Sequence, residues 1–305
     1  MTLNPQLRAF LDEVEAAGLP KLNELTPAEG RQQARDGLEL IGAGPDVSVV
    51  ENFTIPTGAG EMRGRRYEPA RPAGTVLWIH GGGWVICDLD THDAMCRMLA
   101  LASGFRVIGI DYRRAPEDPF PAPLDDAWDA LSWVAAHHDD GPLVLGGDSA
   151  GGNLAAVCTH RARDRAGPAI ALQVLVYPVT DHDFATDSYR AHGSGRDTFL
   201  TTDEMIWFWN QYAPDKMARE NPEMSPLRAA SLSGLPPAIV VTAEYDPLRD
   251  EGLAYVERLR EAGNEVIHHH YDDMVHAFFS FVNAIPRGND AVAQVGREIR
   301  TRVSG

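Results

Sequence analysis

The sequence predicts an α/β protein with a mostly parallel sheet and helices on both faces. Short, nearly continuous apolar runs alternate with longer amphipathic stretches, which is typical of strands covered on both sides. The predicted strands are residues 75–79, 106–110, 143–145, 171–177, 238–242 and 265–271. The predicted helices between and after them are residues 91–102, 124–137, 149–165, 249–262 and 290–303.

The first part of the chain follows a different pattern. Residues 5–42 place apolar side chains such as Leu7 and Leu11 at helical spacing, and they predict two or three short helices above a core. Residues 47–55 and 61–67 alternate between apolar and polar and flank a Gly-rich turn. This pattern predicts an antiparallel hairpin.

One interval interrupts the alternation of strands and helices. Residues 180–223 follow a predicted strand and contain Trp207, Phe208 and Trp209. An insertion over the carboxyl ends of the strands is where an α/β protein places a lid. The alternative is that these aromatic side chains are ordinary core of a helix pair.

Composition limits the classes of partner. The 305 residues fit one catalytic core with an added cap. A net charge of -17, with 44 acidic and 27 scattered basic residues, argues against a nucleic-acid surface. The sequence has neither an 18-residue apolar run nor the pattern of a signal peptide, so no membrane partner is expected. Cys87, Cys96 and Cys158 lack metal-ligand spacing and favour a reducing cytoplasm.

Residues 147–151 read Gly-Asp-Ser-Ala-Gly between an apolar strand and a helical stretch. This is the context of a nucleophile elbow, a strained strand-to-helix turn that raises its serine toward solvent. The flanking glycines avoid collisions with neighbouring strands. Ser149 is therefore the candidate nucleophile.

Residues 80–84 read His-Gly-Gly-Gly-Trp directly after the strand 75–79. Successive glycines leave backbone N–H groups free to point into a cavity, where they can stabilise the oxyanion formed when a carbonyl is attacked. A phosphate-binding loop is disfavoured because no Lys-Ser/Thr pair follows and the spacing is not a dinucleotide fingerprint.

A serine hydroxyl needs a base to take its proton and a carboxylate to orient that base. Asp246 and His276 follow the strands 238–242 and 265–271, and they complete the chain order Ser, Asp, His. Glu244 and Asp250 are the competing acids, although Asp250 falls at the start of a helix. Residues 268–270 are consecutive histidines within a strand. Neighbouring side chains of a strand face opposite sides, so these histidines are poor candidates for the base.

Several motifs in order resemble the bacterial hormone-sensitive-lipase family of carboxylesterases over about residues 65–285. Besides residues 80–84, they are Asp-Tyr-Arg at 111–113, Ala-Pro-Glu at 115–117, Gly-Asp-Ser-Ala-Gly-Gly-Asn at 147–153, Tyr-Pro at 177–178, Ser-Pro-Leu at 225–227 and Asp-Pro-Leu-Arg-Asp-Glu-Gly at 246–252.

The resemblance implies an α/β-hydrolase fold with an eight-stranded sheet and a helical cap. Residues 1–45 would form cap helices, and residues 46–305 a catalytic domain with a cap insertion at about 180–223. The activity implied is hydrolysis of short to medium acyl esters, with no cofactor or metal and often as a homodimer.

The resemblance also assigns roles to residues. Ser149 is expected to be the nucleophile, Asp246 the acid and His276 the base. The amides of Gly82, Gly83 and Ala150 are expected to form the oxyanion hole. His80, Gly81 and Asp148 are expected to be supporting residues. The chain departs from the usual pattern near the base, where Asp273 can alter the local charge and Ala277 replaces a glycine.

Other questions stay open at the level of sequence. Trp84, Phe199, Trp207 and Trp209 are candidates for lining an apolar substrate cleft, and core packing is the alternative for each. An amidase or peptidase would use the same triad. A non-catalytic small-molecule receptor would share the fold, but the presence of every triad residue counts against it. A lipase acting at an oil-water interface has little support from this acidic composition.

Overall fold

Eight strands form one sheet in a computed structural model that describes residues 2–138 and 140–303. The strands are β1 (Val49–Thr57), β2 (Gly60–Glu68), β3 (Thr75–Ile79), β4 (Arg106–Asp111), β5 (Leu143–Asp148), β6 (Leu172–Val176), β7 (Ala238–Tyr245) and β8 (Val266–Val275). Their order is β1-β2-β4-β3-β5-β6-β7-β8, in which β2 pairs antiparallel with β1 and β4 and all other pairs are parallel. The predicted hairpin and parallel sheet are confirmed.

Helices cover both faces of this sheet. They are α1 (Pro5–Ala16), α2 (Pro27–Asp36), α3 (Leu38–Ile41), α4 (Asp93–Ser103), α5 (Ala122–His137), α6 (Ala150–Asp164), α7 (Asp187–His192), α8 (Thr202–Tyr212), α9 (Arg249–Glu261) and α10 (Pro286–Val303). Side chains of α1, α4 and α10 share one apolar core, while those of α5, α6, α8 and α9 share a second. The near-continuous apolar strands follow from this two-sided burial.

The helices of the N-terminal segment and of the insertion contact each other and the sheet domain. The α1 side chains Leu7 and Leu11 are buried in the core shared with α4 and α10. Arg31 of α2 donates hydrogen bonds to the carbonyls of Val85 and Ala115. The insertion contains α7 and α8. The division of the chain at residues 45, 180 and 223 stays a prediction.

Strands β7 and β8 run further than the apolar pattern predicts. A register shift between Ala243 and Tyr245 lets the ladder continue to the pair Tyr245–Val275. The predicted ends at residues 242 and 271 were therefore too early, because polar residues occupy the extension. As a result, Asp246 and His276 each directly follow a strand.

No helix within residues 2–138 and 140–303 is long and apolar enough to cross a bilayer.

Candidate active site

Ser149 occupies a strained turn between β5 and α6. Its φ of 55° and ψ of -119° lie where a side chain is rarely tolerated. Its N–H donates to the carbonyl of Val176 at 2.8 Å, which ties the turn to the neighbouring strand. A Cβ at Gly151 would lie 2.0 Å from the carbonyl oxygen of Ile79. Glycine is therefore required beside the turn on steric grounds, as the sequence motif predicts.

Three predicted site residues form a continuous hydrogen-bonded chain. His276 Nε2 lies 3.0 Å from Ser149 Oγ, and His276 Nδ1 lies 2.8 Å from Asp246 Oδ2. The Leu248 N–H donates to the other carboxylate oxygen of Asp246 at 2.8 Å. Asp246 is fully buried, whereas Ser149 and His276 keep 7% and 5% exposure. The carboxylate is thus shielded from water and fixed toward the imidazole.

This convergence follows from the topology of the sheet. Strands β5, β7 and β8 run parallel, so their carboxyl ends meet at one edge. Ser149, Asp246 and His276 follow those three ends. The ring of Tyr177, just beyond β6, packs 4.6 Å from the His276 ring between centroids.

The competing side chains are occupied elsewhere. Glu244 accepts hydrogen bonds from Arg249 at 2.6 Å and lies 3.0 Å from His270 Nε2. Asp250 accepts from the Ser188 N–H at 2.7 Å near the start of α9. Of the three strand histidines, His268 and His270 both contact the Thr242 hydroxyl, while the residue between them points to the other face.

The predicted oxyanion residues belong to two backbone segments, the loop after β3 and the first turn of α6. Gly82 and Gly83 have φ values of 94° and 57°, in the left-handed region that favours glycine. A Cβ on Gly83 would come within 2.1 Å of the Phe208 ring, so α8 packs directly on this backbone. Ala150 is the first residue of α6, and its N–H has no partner within the helix.

The three predicted supporting residues are buried. The His80 ring stacks on Tyr112 at 4.3 Å, and burial lowers the pKa of His80 to about 4, which keeps it neutral near pH 7. A Cβ on Gly81 would lie 2.5 Å from Asp148 Oδ2. Asp148 also contacts His92, which no sequence motif had singled out.

The four aromatic candidates for the cleft occupy different environments. Trp84 and Trp209 are fully buried, with ring centroids 4.9 Å apart, which favours the packing alternative for these two. Trp207 is half-buried, and its ring lies 5.2 Å from that of Phe208. Phe199 is 38% exposed and packs against Phe281.

Asp273 contacts groups outside the triad. Its carboxylate accepts from Asn4 Nδ2 at 3.2 Å and from Arg287 Nε at 3.4 Å. The charge expected near the base is therefore paired with a cation. Ala277, the second departure from the family pattern, has a φ of 68°, a conformation that glycine adopts more readily.

Within the described residues, no group of three or more His, Cys, Asp or Glu side chains is arranged to hold a metal ion.

The fold and the site are those of an α/β hydrolase. A family model described as alpha/beta hydrolase fold matches residues 76–280. The chain is 43% identical to the carboxylic ester hydrolase LipN of Mycobacterium tuberculosis, with 92% of this chain and 77% of LipN covered. It is 35% identical to an ethyl acetate hydrolase of Pseudomonas putida, with 97% and 98% covered.

A solved esterase structure has the same fold as this chain. The hyperthermophilic esterase of the archaeon Pyrobaculum calidifontis superposes with a TM-score of 0.94 at 39% identity, and all of both chains is covered. The chain belongs to the hormone-sensitive-lipase-like family of α/β hydrolases. Within that family it is a carboxylic ester hydrolase, as the motifs predict.

Proposed function

We propose that Ser149, His276 and Asp246 hydrolyse carboxylic esters through an acyl-enzyme. The observation that carries the proposal is the continuous chain of hydrogen bonds, 3.0 Å from Ser149 Oγ to His276 Nε2 and 2.8 Å from Nδ1 to Asp246. Ser149 Oγ attacks the ester carbonyl while His276 Nε2 takes its proton. Asp246 holds the Nδ1–H tautomer and stabilises the imidazolium.

The N–H groups of Gly82, Gly83 and Ala150 stabilise the tetrahedral oxyanion. When the intermediate collapses, the bond to the alcohol oxygen breaks and His276 gives its proton to the departing alcohol. Water then donates a proton to His276 as it attacks the acyl carbon, and Ser149 leaves with that proton. The acid and the free enzyme result, with no metal or organic cofactor in any step.

Short to medium acyl esters are the proposed substrates. The ethyl acetate hydrolase relative acts, as its name states, on a small acetate ester. The half-buried Trp207 and the partly exposed Phe199 are the aromatic candidates that retain surface for an apolar cleft. An amidase on the same scaffold is the second candidate, and its test is turnover of an acetanilide beside the matching phenyl ester.

Cellular context is also a proposal. A cytoplasmic location is supported by three unpaired cysteines, Cys87, Cys96 and Cys158. Homodimer formation rests on the family resemblance alone and is tested by light scattering of the purified chain.

The deciding experiment is hydrolysis of p-nitrophenyl esters from acetate to palmitate by wild type and Ser149→Ala. We expect fast turnover of the short esters and a loss of at least about 10³-fold in kcat for the variant. Full activity of Ser149→Ala would overturn the proposed mechanism. Faster turnover of palmitate than of acetate would overturn the proposed chain length.

A further inference from the structure

Asp148 is a buried carboxylate next to the nucleophile that takes no part in the proposed proton transfers. It is 4% exposed and precedes Ser149 directly. Trp78 Nε1 donates to its Oδ1 at 3.2 Å. A buried carboxylate of this kind needs hydrogen-bond donors, because burial removes it from water.

His92 is the side chain that binds this carboxylate. It is 6% exposed, and its Nε2 lies 3.2 Å from both carboxylate oxygens of Asp148. Burial opposes ionisation of Asp148, but its interactions with His92, His80 and Trp78 outweigh burial and lower the pKa of Asp148. Asp148 is therefore an anion at neutral pH.

The geometry places a proton on His92 Nε2. This nitrogen faces a carboxylate, which only accepts hydrogen bonds, so the imidazole is the donor. His92 Nδ1 lies 3.0 Å from the Thr91 hydroxyl, which contacts the carbonyl of Asp88 at 2.8 Å. The His92 ring is thus held on both sides, and Nε2 donates a charge-assisted hydrogen bond to Asp148.

The hydrogen bond between His92 and Asp148 joins the two halves of the candidate site. Residues 80–92, here called the oxyanion segment, begin directly after β3 and end at His92. Near its start, a Cβ on Gly81 would lie 2.5 Å from Asp148 Oδ2 and 3.2 Å from Ser149 Cβ, so this backbone packs directly against the nucleophile turn. At its end, His92 binds the same carboxylate. Asp148 thus packs against the start of the segment and is hydrogen-bonded to its end.

We infer that His92 is a positioning residue for ester hydrolysis, because its hydrogen bond to Asp148 holds the N–H groups of Gly82 and Gly83 at a fixed distance from Ser149. The inference rests on the proposed function of that site. It concerns the transition state, since an oxyanion forms only after attack. Loss of this hydrogen bond therefore lowers kcat and leaves KM almost unchanged.

The test is a double-mutant cycle with His92→Leu, Asp148→Asn and the double variant, measured with p-nitrophenyl acetate. We expect His92→Leu to lower kcat about 100-fold, the cost of roughly 1 Å of misplacement. His92→Leu leaves the buried Asp148 charge without its donor, whereas the double variant removes that charge, so its kcat should exceed that of His92→Leu by about tenfold. The inference would be overturned if the kcat losses of the two single variants multiplied in the double variant, or if the variants changed only KM.

His160→Leu is the matched control. His160 is another buried histidine, and its Nε2 lies 2.9 Å from the Tyr255 hydroxyl. Its replacement should lower Tm while kcat stays near the wild-type value. An equal loss of kcat in both histidine variants would assign His92 a general structural role and overturn the inference.

His92→Gln provides a second variant should His92→Leu fail to fold. Its amide can still donate to Asp148, and we expect kcat between those of wild type and His92→Leu. A kcat in His92→Gln as low as that of His92→Leu would overturn the role of this hydrogen bond. If Ser149→Ala is inactive while His92 variants are fully active, only this inference fails; if Ser149→Ala is active, the proposed function fails.

Discussion

Asp246 and Glu244 are carboxylates two positions apart, and their surroundings separate their roles. Asp246 is fully buried and accepts from His276 Nδ1 and the Leu248 N–H. Glu244 pairs with Arg249 at 2.6 Å. Sequence alone left both as candidates, because each lies near the end of the same strand.

We predict that Asp246→Asn lowers kcat for p-nitrophenyl acetate by about 10⁴-fold, because an amide stabilises the wrong tautomer of His276. Glu244→Gln is the matched control, and its kcat should stay near that of wild type. If the control loses activity as severely as Asp246→Asn, the acid role belongs to Glu244.

At the scale of elements, α1 contributes to the core of the protein. Asn4 caps this helix by accepting from the N–H groups of Gln6 and Leu7, and its own backbone N–H donates to the carbonyl of Asp273 in β8. The α1 side chains Leu7 and Leu11 are buried among residues of α4 and α10. A helical pattern predicts such an apolar face but not its partner.

We therefore expect Leu7→Ala to lower the free energy of unfolding by about 2–5 kcal/mol, since it leaves a cavity at a fully buried position. Leu19→Ala removes the same atoms at a position that is 57% exposed and should change stability little. Urea unfolding monitored by tryptophan fluorescence measures both. Equal stabilities of the two variants would show that α1 packs only loosely.

For the whole molecule, burial of histidines links stability to pH. Burial lowers the pKa values of His80, His160 and His268 to about 4 from 6.5. These side chains stay neutral in the folded state while the unfolded chain takes up protons below pH 6.5. Their contribution to stability is complete above pH 6.5 and is lost as the pH falls toward 4.

His160→Gln tests this linkage away from the candidate active site. A glutamine cannot titrate, so wild type should lose Tm more steeply than the variant between pH 6.5 and 4.5. Differential scanning calorimetry across that interval gives both slopes. A constant difference in Tm at every pH would contradict the predicted titration.

Much of the fold and the proximity of Ser149, Asp246 and His276 could be predicted because both depend on local patterns. Apolar runs mark strands, and the Gly-Asp-Ser-Ala-Gly turn around Ser149 accepts only small flanking residues for steric reasons. Parallel strands end at one edge, so their order along the chain places Asp246 and His276 near Ser149. The confirmed strands and helices, and the family to which the chain belongs, could be predicted from these local patterns.

Only the tertiary structure decided which side chains outside those patterns meet. The extension of β8 to Val275 depends on a register shift against β7, and the burial of Trp84 depends on contact with the distant α8. The partnership of His92 with Asp148 joins residues 56 positions apart. Such pairings arise from the packing of the whole chain, and no local periodicity or turn motif encodes them.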